Sequence, residues 1–142
     1  MTIARIMEGR DQEIISCGPQ DSVREAARRL AEKRIGCLPV LENGSVVGIF
    51  SERDLLYCVA REGEASLERS VGEVMTAPAI TIEPKTEIIK AFSMMTRRRI
   101  RHLPVVEGGL LVGFVSIGDL VKFRMDRIEH EAEVMRDYIT HG

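Results

Sequence analysis

Apolar and polar positions along the chain follow two periods, and the order in which those periods occur repeats. "EIISC" (Glu13–Cys17) is a short apolar run closed by Gly18-Pro19, which predicts a strand ending in a turn. "SVREAARRLAEKRI" (Ser22–Ile35) sets Val23, Ala26, Ala27, Leu30 and Ala31 on one helical stripe, with Ser22 and Glu25 in capping-box spacing. "CLPVL" and "VVGIF" then flank "ENGS", where Asn43-Gly44 predicts a two-residue hairpin. A second helix is expected from Ser51 to about Ala60. The same order returns later: an "AITI" strand, an "EIIKAFSMMTRRRI" helix, "HLPVV" and "LLVGFV" strands around "EGG", and a helix from Ser116.

The second set is a copy of the first. A shift of 65 residues carries Pro19 to Pro84, Ala26 to Ala91, Leu38-Pro39-Val40 to Leu103-Pro104-Val105, and Ser51 and Asp54 to Ser116 and Asp119. The register holds without a gap from Pro19 to Leu55. The expected fold is α/β (α+β), two tandem β-α-β-β-α units over residues 1–65 and 66–128 with a helical tail over 129–142. "REGEASLERSVGEVMTAP" reads as the linker, with Pro78 fixing the start of the second unit. In the tail Leu120, Phe123, Ile128, Ala132, Met135 and Ile139 form a broken apolar stripe between charges. A helix that polar rarely stands alone, so it packs across a dimer partner, carries a signal to another protein, or frays as a terminus.

Composition narrows this picture little. With 142 residues, 44% hydrophobic and 30% charged, the chain fits one soluble globular body. A formal net charge of −2 gives no global case for nucleic acid or an anionic membrane, and no run reaches the roughly 18–20 apolar residues of a membrane helix. "MTIARIMEGRDQE" lacks the apolar core of a signal peptide, and three cysteines without metal-ligand spacing read as free thiols, so a cytoplasmic location is expected.

The chemistry sits at the repeated corner. In "GIFSERD" (Gly48–Asp54) and "GFVSIGD" (Gly113–Asp119) a strand ends on Ser and a helix begins with Asp one turn later. Free amides and the positive end of the helix dipole suit a phosphate there, and an ionised Asp accepts hydrogen bonds from two neighbouring hydroxyls. Phosphate on one side and a vicinal diol on the other describe a ribonucleotide. Ser-x-x-Asp is also an ordinary helix cap, and duplication copies caps as readily as sites, so the residues alone leave both readings open.

The double unit, with "RIGCLPV…VVGIFSERDLL" and "RIRHLPVV…LVGFVSIGDLV", resembles a pair of CBS domains, the module named after cystathionine β-synthase. "IMEG" and "EVMTAP" resemble the segments that lead into each unit. The resemblance implies two units packed around a pseudo-twofold axis, two clefts that take adenosine-containing ligands (AMP, ADP, ATP, NAD(H) or S-adenosylmethionine), and a flat homodimer. It puts ribose on Asp54 and Asp119 and phosphate near Ser51 and Ser116. Adenine then lies against Thr81 and Arg101-His102-Leu103-Pro104 in one unit, and Ser16 and Gly36-Cys37 in the other. Arg53 can pair with phosphate at the first corner where Gly118 occupies the second, so the clefts should differ.

Other features weigh less. "RRRIRH" (Arg97–His102) fits a phosphate clamp or a solvated helix end better than a nucleic-acid contact. His102 has no metal-ligand partner at useful spacing, and Cys37 and Cys58 have no adjacent base. Met94, Met95, Met125 and Met135 read as core or dimer packing. No catalytic cofactor and no enzymatic activity are expected, since a Walker-type loop, a metal cluster and a paired acid and base are all missing. The expected function is a regulatory module that binds adenine nucleotides as a homodimer and signals to a downstream protein. The alternative is a non-binding dimerisation or adaptor module in which both corners are only caps.

Overall fold

The computed structural model describes residues 1–10 and 13–141. Its elements run α1 (Ile3–Met7), α2 (Val23–Lys33), β1 (Cys37–Glu42), β2 (Ser45–Ser51), α3 (Glu52–Glu62), a 3-10 turn (Gly63–Glu68), α4 (Val71–Val74), α5 (Ile88–Arg98), β3 (His102–Glu107), β4 (Leu110–Ser116) and α6 (Ile117–His141). β1 pairs with β2 and β3 with β4, forming two antiparallel hairpins. Both turn on two residues of positive φ: Asn43 and Gly44 at 54° and 83°, Gly108 and Gly109 at 60° and 81°. That turn matches the twist of antiparallel strands. The register slips at the same place in each hairpin, between Val40 and Leu41 and between Val105 and Val106. Helices α2 and α5 close on Arg34 and Arg99, each left-handed at φ 54°. The sequence repeat is a repeat of backbone conformation.

Several expectations change. "EIISC" and "AITI" do not form full strands; each makes one parallel bridge, Cys17 with Val40 and Ile82 with Val105. Two hydrogen bonds hold each bridge, Cys17 N–H to Pro39 O at 3.2 Å and Leu41 N–H to Cys17 O at 2.8 Å, with Ile82 N–H to Pro104 O at 3.0 Å and Val106 N–H to Ile82 O at 2.8 Å. A turn follows at once in both copies, so pairing cannot extend. The Ser22–Glu25 box is half made: Ser22 Oγ accepts from Glu25 N–H at 3.0 Å, while the Glu25 carboxylate turns to Arg28 and Arg29. On the α2 stripe Val23, Ala26 and Leu30 are buried, Ala27 is half-buried and Ala31 is exposed. Of the two places open to the α5 methionines, Met95 takes the core, beside Ala91, with Met94 packed against it.

The presumed linker is ordered, and it explains how the units join. Val71 packs in the first core with Val23, Leu38, Val40 and Phe50, although it leads into the second unit. Ile3 and Ile6, which lead into the first unit, pack in the second core with Ile82, Met95, Leu103 and Leu120. The hydrogen bonds repeat as well. Ile3 N–H reaches Thr86 O at 2.9 Å and Ala4 N–H reaches Pro84 O at 2.8 Å; Val71 N–H reaches Asp21 O at 2.8 Å and Gly72 N–H reaches Pro19 O at 2.9 Å. Each unit lends its leading helix to the other. Both exchanged helices end over a glycine of the opposite β-hairpin: a Cβ on Gly48 would lie 2.5 Å from Met75 Sδ, and one on Gly113 would lie 2.6 Å from Met7 Cε. Bare backbone at these two positions is what lets the exchange close. Among the described residues no helix is long and apolar enough to cross a membrane.

Candidate nucleotide-binding site

The two Ser-Asp corners share a frame and differ in what is left over. Ser51 N–H donates to Asp54 Oδ2 at 2.9 Å while Asp54 N–H donates to Ser51 Oγ at 3.2 Å. Ser116 N–H donates to Asp119 Oδ2 at 2.8 Å while Asp119 N–H donates to Ser116 Oγ at 3.1 Å. Both are complete capping boxes, as the plain reading of the motif predicts. The first corner is then closed further. Ser51 Oγ spends its own hydrogen on Asp54 Oδ2 at 3.0 Å, and Thr76 Oγ1 donates to Asp54 Oδ1 at 2.9 Å. At the second corner the Ser116 hydroxyl hydrogen and Asp119 Oδ1 have no partner among the described residues; Arg10 pairs with Asp119 Oδ2 at 3.6 Å. The first amides of the helices are also committed, Glu52 N–H to Gly36 O at 3.0 Å and Ile117 N–H to Arg101 O at 2.8 Å.

The second corner opens on a cavity of about 230 Å³. Ile14, Ile15 and Ile35 line its aliphatic side. Phe114 and His102 line it as a ring pair, stacked at 5.6 Å between centroids and 19° between planes. Ser116, Asp119, Cys37 and Glu13 supply the polar edge. Burial holds the His102 imidazole below its usual range, helped by Arg101 and opposed by Asp119 and Glu52. The ring is therefore neutral at pH 7, with one nitrogen to donate and one to accept. Burial pushes the Cys37 thiol up to about 12, and Asp54 and Glu52 add to this against Arg101. A thiol so held is a packing group with a weak donor.

The profile of the CBS domain matches this chain twice, at residues 4–61 and 71–126. The chain belongs to the CBS-domain family. This CBS pair is 32% identical over 150 residues to the mitochondrial CBS domain-containing protein CBSX3 of Arabidopsis thaliana, covering 99% of this chain and 73% of that one. The solved CBS-domain containing protein ATU1752 from Agrobacterium tumefaciens is 38% identical with a TM-score of 0.81, over 87% of this chain and 99% of that one. The structure of CBSX2 in complex with AMP is 27% identical with a TM-score of 0.78, over 88% of this chain and 96% of that one. The likeness spans both units, so the paired architecture is that of the family.

The CBS pair brings together four of the residues singled out in the sequence: Cys37, His102, Ser116 and Asp119 line one cavity. Gly36 adjoins it, since a Cβ there would lie 3.6 Å from His102 Cε1, and Arg101 flanks it exposed. The cavity thus joins the start of β1 from one unit to the corner of the other. Ser51 and Asp54 form the closed corner, beside which Arg53 is exposed. Ser16 lies in a neighbouring cavity of about 310 Å³ with Arg28, Arg29 and Lys33, its carbonyl accepting from Arg29 Nη1 at 2.7 Å. Leu103 is fully buried in the second core, the Pro104 carbonyl is bonded to Ile82, and half-buried Thr81 precedes that bridge. Sequence reasoning missed Glu13, Ile14, Ile15, Ile35 and Phe114 in the wall, and Thr76 at the closed corner. Phe114 was findable, because the repeat aligns it with the non-aromatic Ile49. Thr76 was not, since it lies in the presumed linker.

Proposed function

We propose that this CBS pair is a regulatory module that binds one adenine mononucleotide per chain, in the cleft closed by Ser116 and Asp119. The observation that carries it is the coincidence, with an aromatic and aliphatic slot, of an Asp119 oxygen and a Ser116 hydroxyl that no other described residue engages. Asp119 Oδ1 accepts from a ribose hydroxyl, the base slides between the rings and the isoleucines, and the phosphate meets Ser116 and the Gly118 amide at the start of α6. The cavity volume of about 230 Å³ lies below the roughly 300–1,000 Å³ of pockets for drug-sized ligands, which fits a nucleoside held inside with its phosphate at the mouth. The AMP complex of CBSX2 supports AMP as the first ligand to test, ahead of ADP, ATP, NAD(H) and S-adenosylmethionine. The working unit is a homodimer that passes the bound state to a downstream protein, and its role is regulatory rather than catalytic.

A second reading is favoured at the first corner alone. There Ser51, Asp54 and Thr76 satisfy one another, so Asp54 serves as a cap and no nucleotide is assigned to it. Calorimetric titration with AMP tests both statements together. One site per chain is expected, with GMP bound at least tenfold more weakly because its edge reverses the donor and acceptor pattern. No binding of any adenosine ligand, or equal affinity for AMP and GMP, would refute the corresponding part.

A further inference from the structure

From Val121 onward α6 carries a regularity unrelated to the cleft. Val121, Met125, Ile128, Ala132, Met135 and Ile139 are spaced four, three, four, three and four residues apart, the a and d positions of a heptad. Within its own chain this seam is bare: Val121 is 46% exposed, Met125 52%, Ile128 44%, Met135 59% and Ile139 73%. Leu120 and Phe123, at the c and f positions, pack on the second core and turn the seam away from the body. The seam explains the tail stripe better than Leu120 and Phe123 do, because those two belong to another face.

The flanking charges name the occupant. The e positions are Lys122, Glu129 and Arg136, and the g positions are Arg124, Glu131 and Tyr138. In a parallel pair each g residue faces the next e residue of the partner, which sets Arg124 against Glu129 and Glu131 against Arg136 on both sides. Every such contact is attractive. In an antiparallel pair with full overlap, e faces e and g faces g, so Glu129 meets Glu129, Glu131 meets Glu131 and Lys122 meets Arg136. Every one of those is repulsive, and sliding by a heptad to escape leaves two seam residues of each helix unpaired, Met135 and Ile139 in one direction or Val121 and Met125 in the other. The pattern is complementary to itself, in one orientation. We propose that α6 pairs with α6 of a second copy as a parallel two-stranded coiled coil through Val121, Met125, Ile128, Ala132, Met135 and Ile139. This does not rest on the nucleotide reading. At under three heptads the seam supports an affinity of order micromolar rather than nanomolar.

Disulfide trapping in the full chain tests it, since Cys17, Cys37 and Cys58 are all buried and give little background. Met135→Cys under mild oxidation should give a dimer cross-linked between equivalent residues. Adding Ile128→Glu should abolish the cross-link, adding Arg124→Glu should weaken it, and adding Glu129→Arg to the latter should restore it. None of these side chains contributes to the chain's own core, so the thermal transition of the unpaired protein stays as a control for folding. A Met125→Cys protein mixed with the Met135→Cys protein should yield only like-with-like products. The proposal is overturned if no cross-link forms between equivalent residues, whether light scattering reports monomer or dimer. It is equally overturned if residues 125 and 135 cross-link to each other, or if Ile128→Glu leaves the yield unchanged.

Discussion

Replacing Asp119 and Asp54 separately with Ala divides two roles that one carboxylate can play. Both residues cap a helix with the same reciprocal pair of bonds, so each variant should lose about 1 kcal/mol without ligand. For a chain of 142 residues the unfolding entropy is roughly 0.3 kcal/mol per degree, so that loss lowers Tm by about 3 °C in either case. Ligand separates them. AMP at about 100 times its Kd stabilises the wild type by roughly 2.7 kcal/mol, a rise of about 9 °C. A hydrogen bond to a charged acceptor is worth about 1.5–3 kcal/mol, so Asp119→Ala should bind about tenfold to a hundredfold more weakly. At the same AMP concentration its stabilisation falls to roughly 0.4–1.4 kcal/mol, a rise of about 1–5 °C. Asp54→Ala should keep the full rise, because Thr76 and Ser51 already occupy its oxygens. Thermal melts with and without AMP decide the matter. If Asp54→Ala loses the shift and Asp119→Ala keeps it, the open and closed corners have been assigned the wrong way round; if both keep it, neither carboxylate holds ribose.

Four further outcomes follow from the packing. Gly48→Ala should destabilise by about 1–3 kcal/mol in a denaturant titration, since the new Cβ would lie 3.0 Å from the Thr76 carbonyl, an atom bonded to Ile49 N–H at 2.9 Å. Gly113→Ala should cost less, because the atom it meets is the terminal methyl of Met7, which can swing aside; equal costs would contradict this account of the exchange. His102 should titrate below 6.5 by NMR, and as pH falls below that value the unfolded chain gains a proton that the folded chain resists, so stability should drop with acid less steeply in His102→Gln. The Cys37 thiol is raised from 9.0 to about 12, so its contribution is complete below pH 9 and is lost as pH rises toward 12; Cys37→Ala should show a shallower alkaline decline, and rapid alkylation of Cys37 in the folded protein at pH 8 would refute the assignment.

The repeat, its element order and both hairpin turns were legible because they depend on local chemistry. Asn43-Gly44 and Gly108-Gly109 take positive φ wherever they stand, Ser51 and Ser116 cap whatever helix follows, and the α2 and α5 periodicities fix which face turns inward. Where each helix docks depends on residues far away. Nothing local tells Val71 to pack under the unit it follows, or Ile3 to pack 79 positions from Ile82; only the two cores together reward the exchange. Likewise the Ser-x-x-Asp spacing is the same in both copies, so it could not say which carboxylate keeps an oxygen without a partner among the described residues. That was decided by Thr76, brought to Asp54 across 22 residues, and by Ile14, Ile15 and Cys37 arriving beside Asp119 from the other unit. A cap is a property of four consecutive residues, whereas a cleft is a property of the surfaces that meet over it.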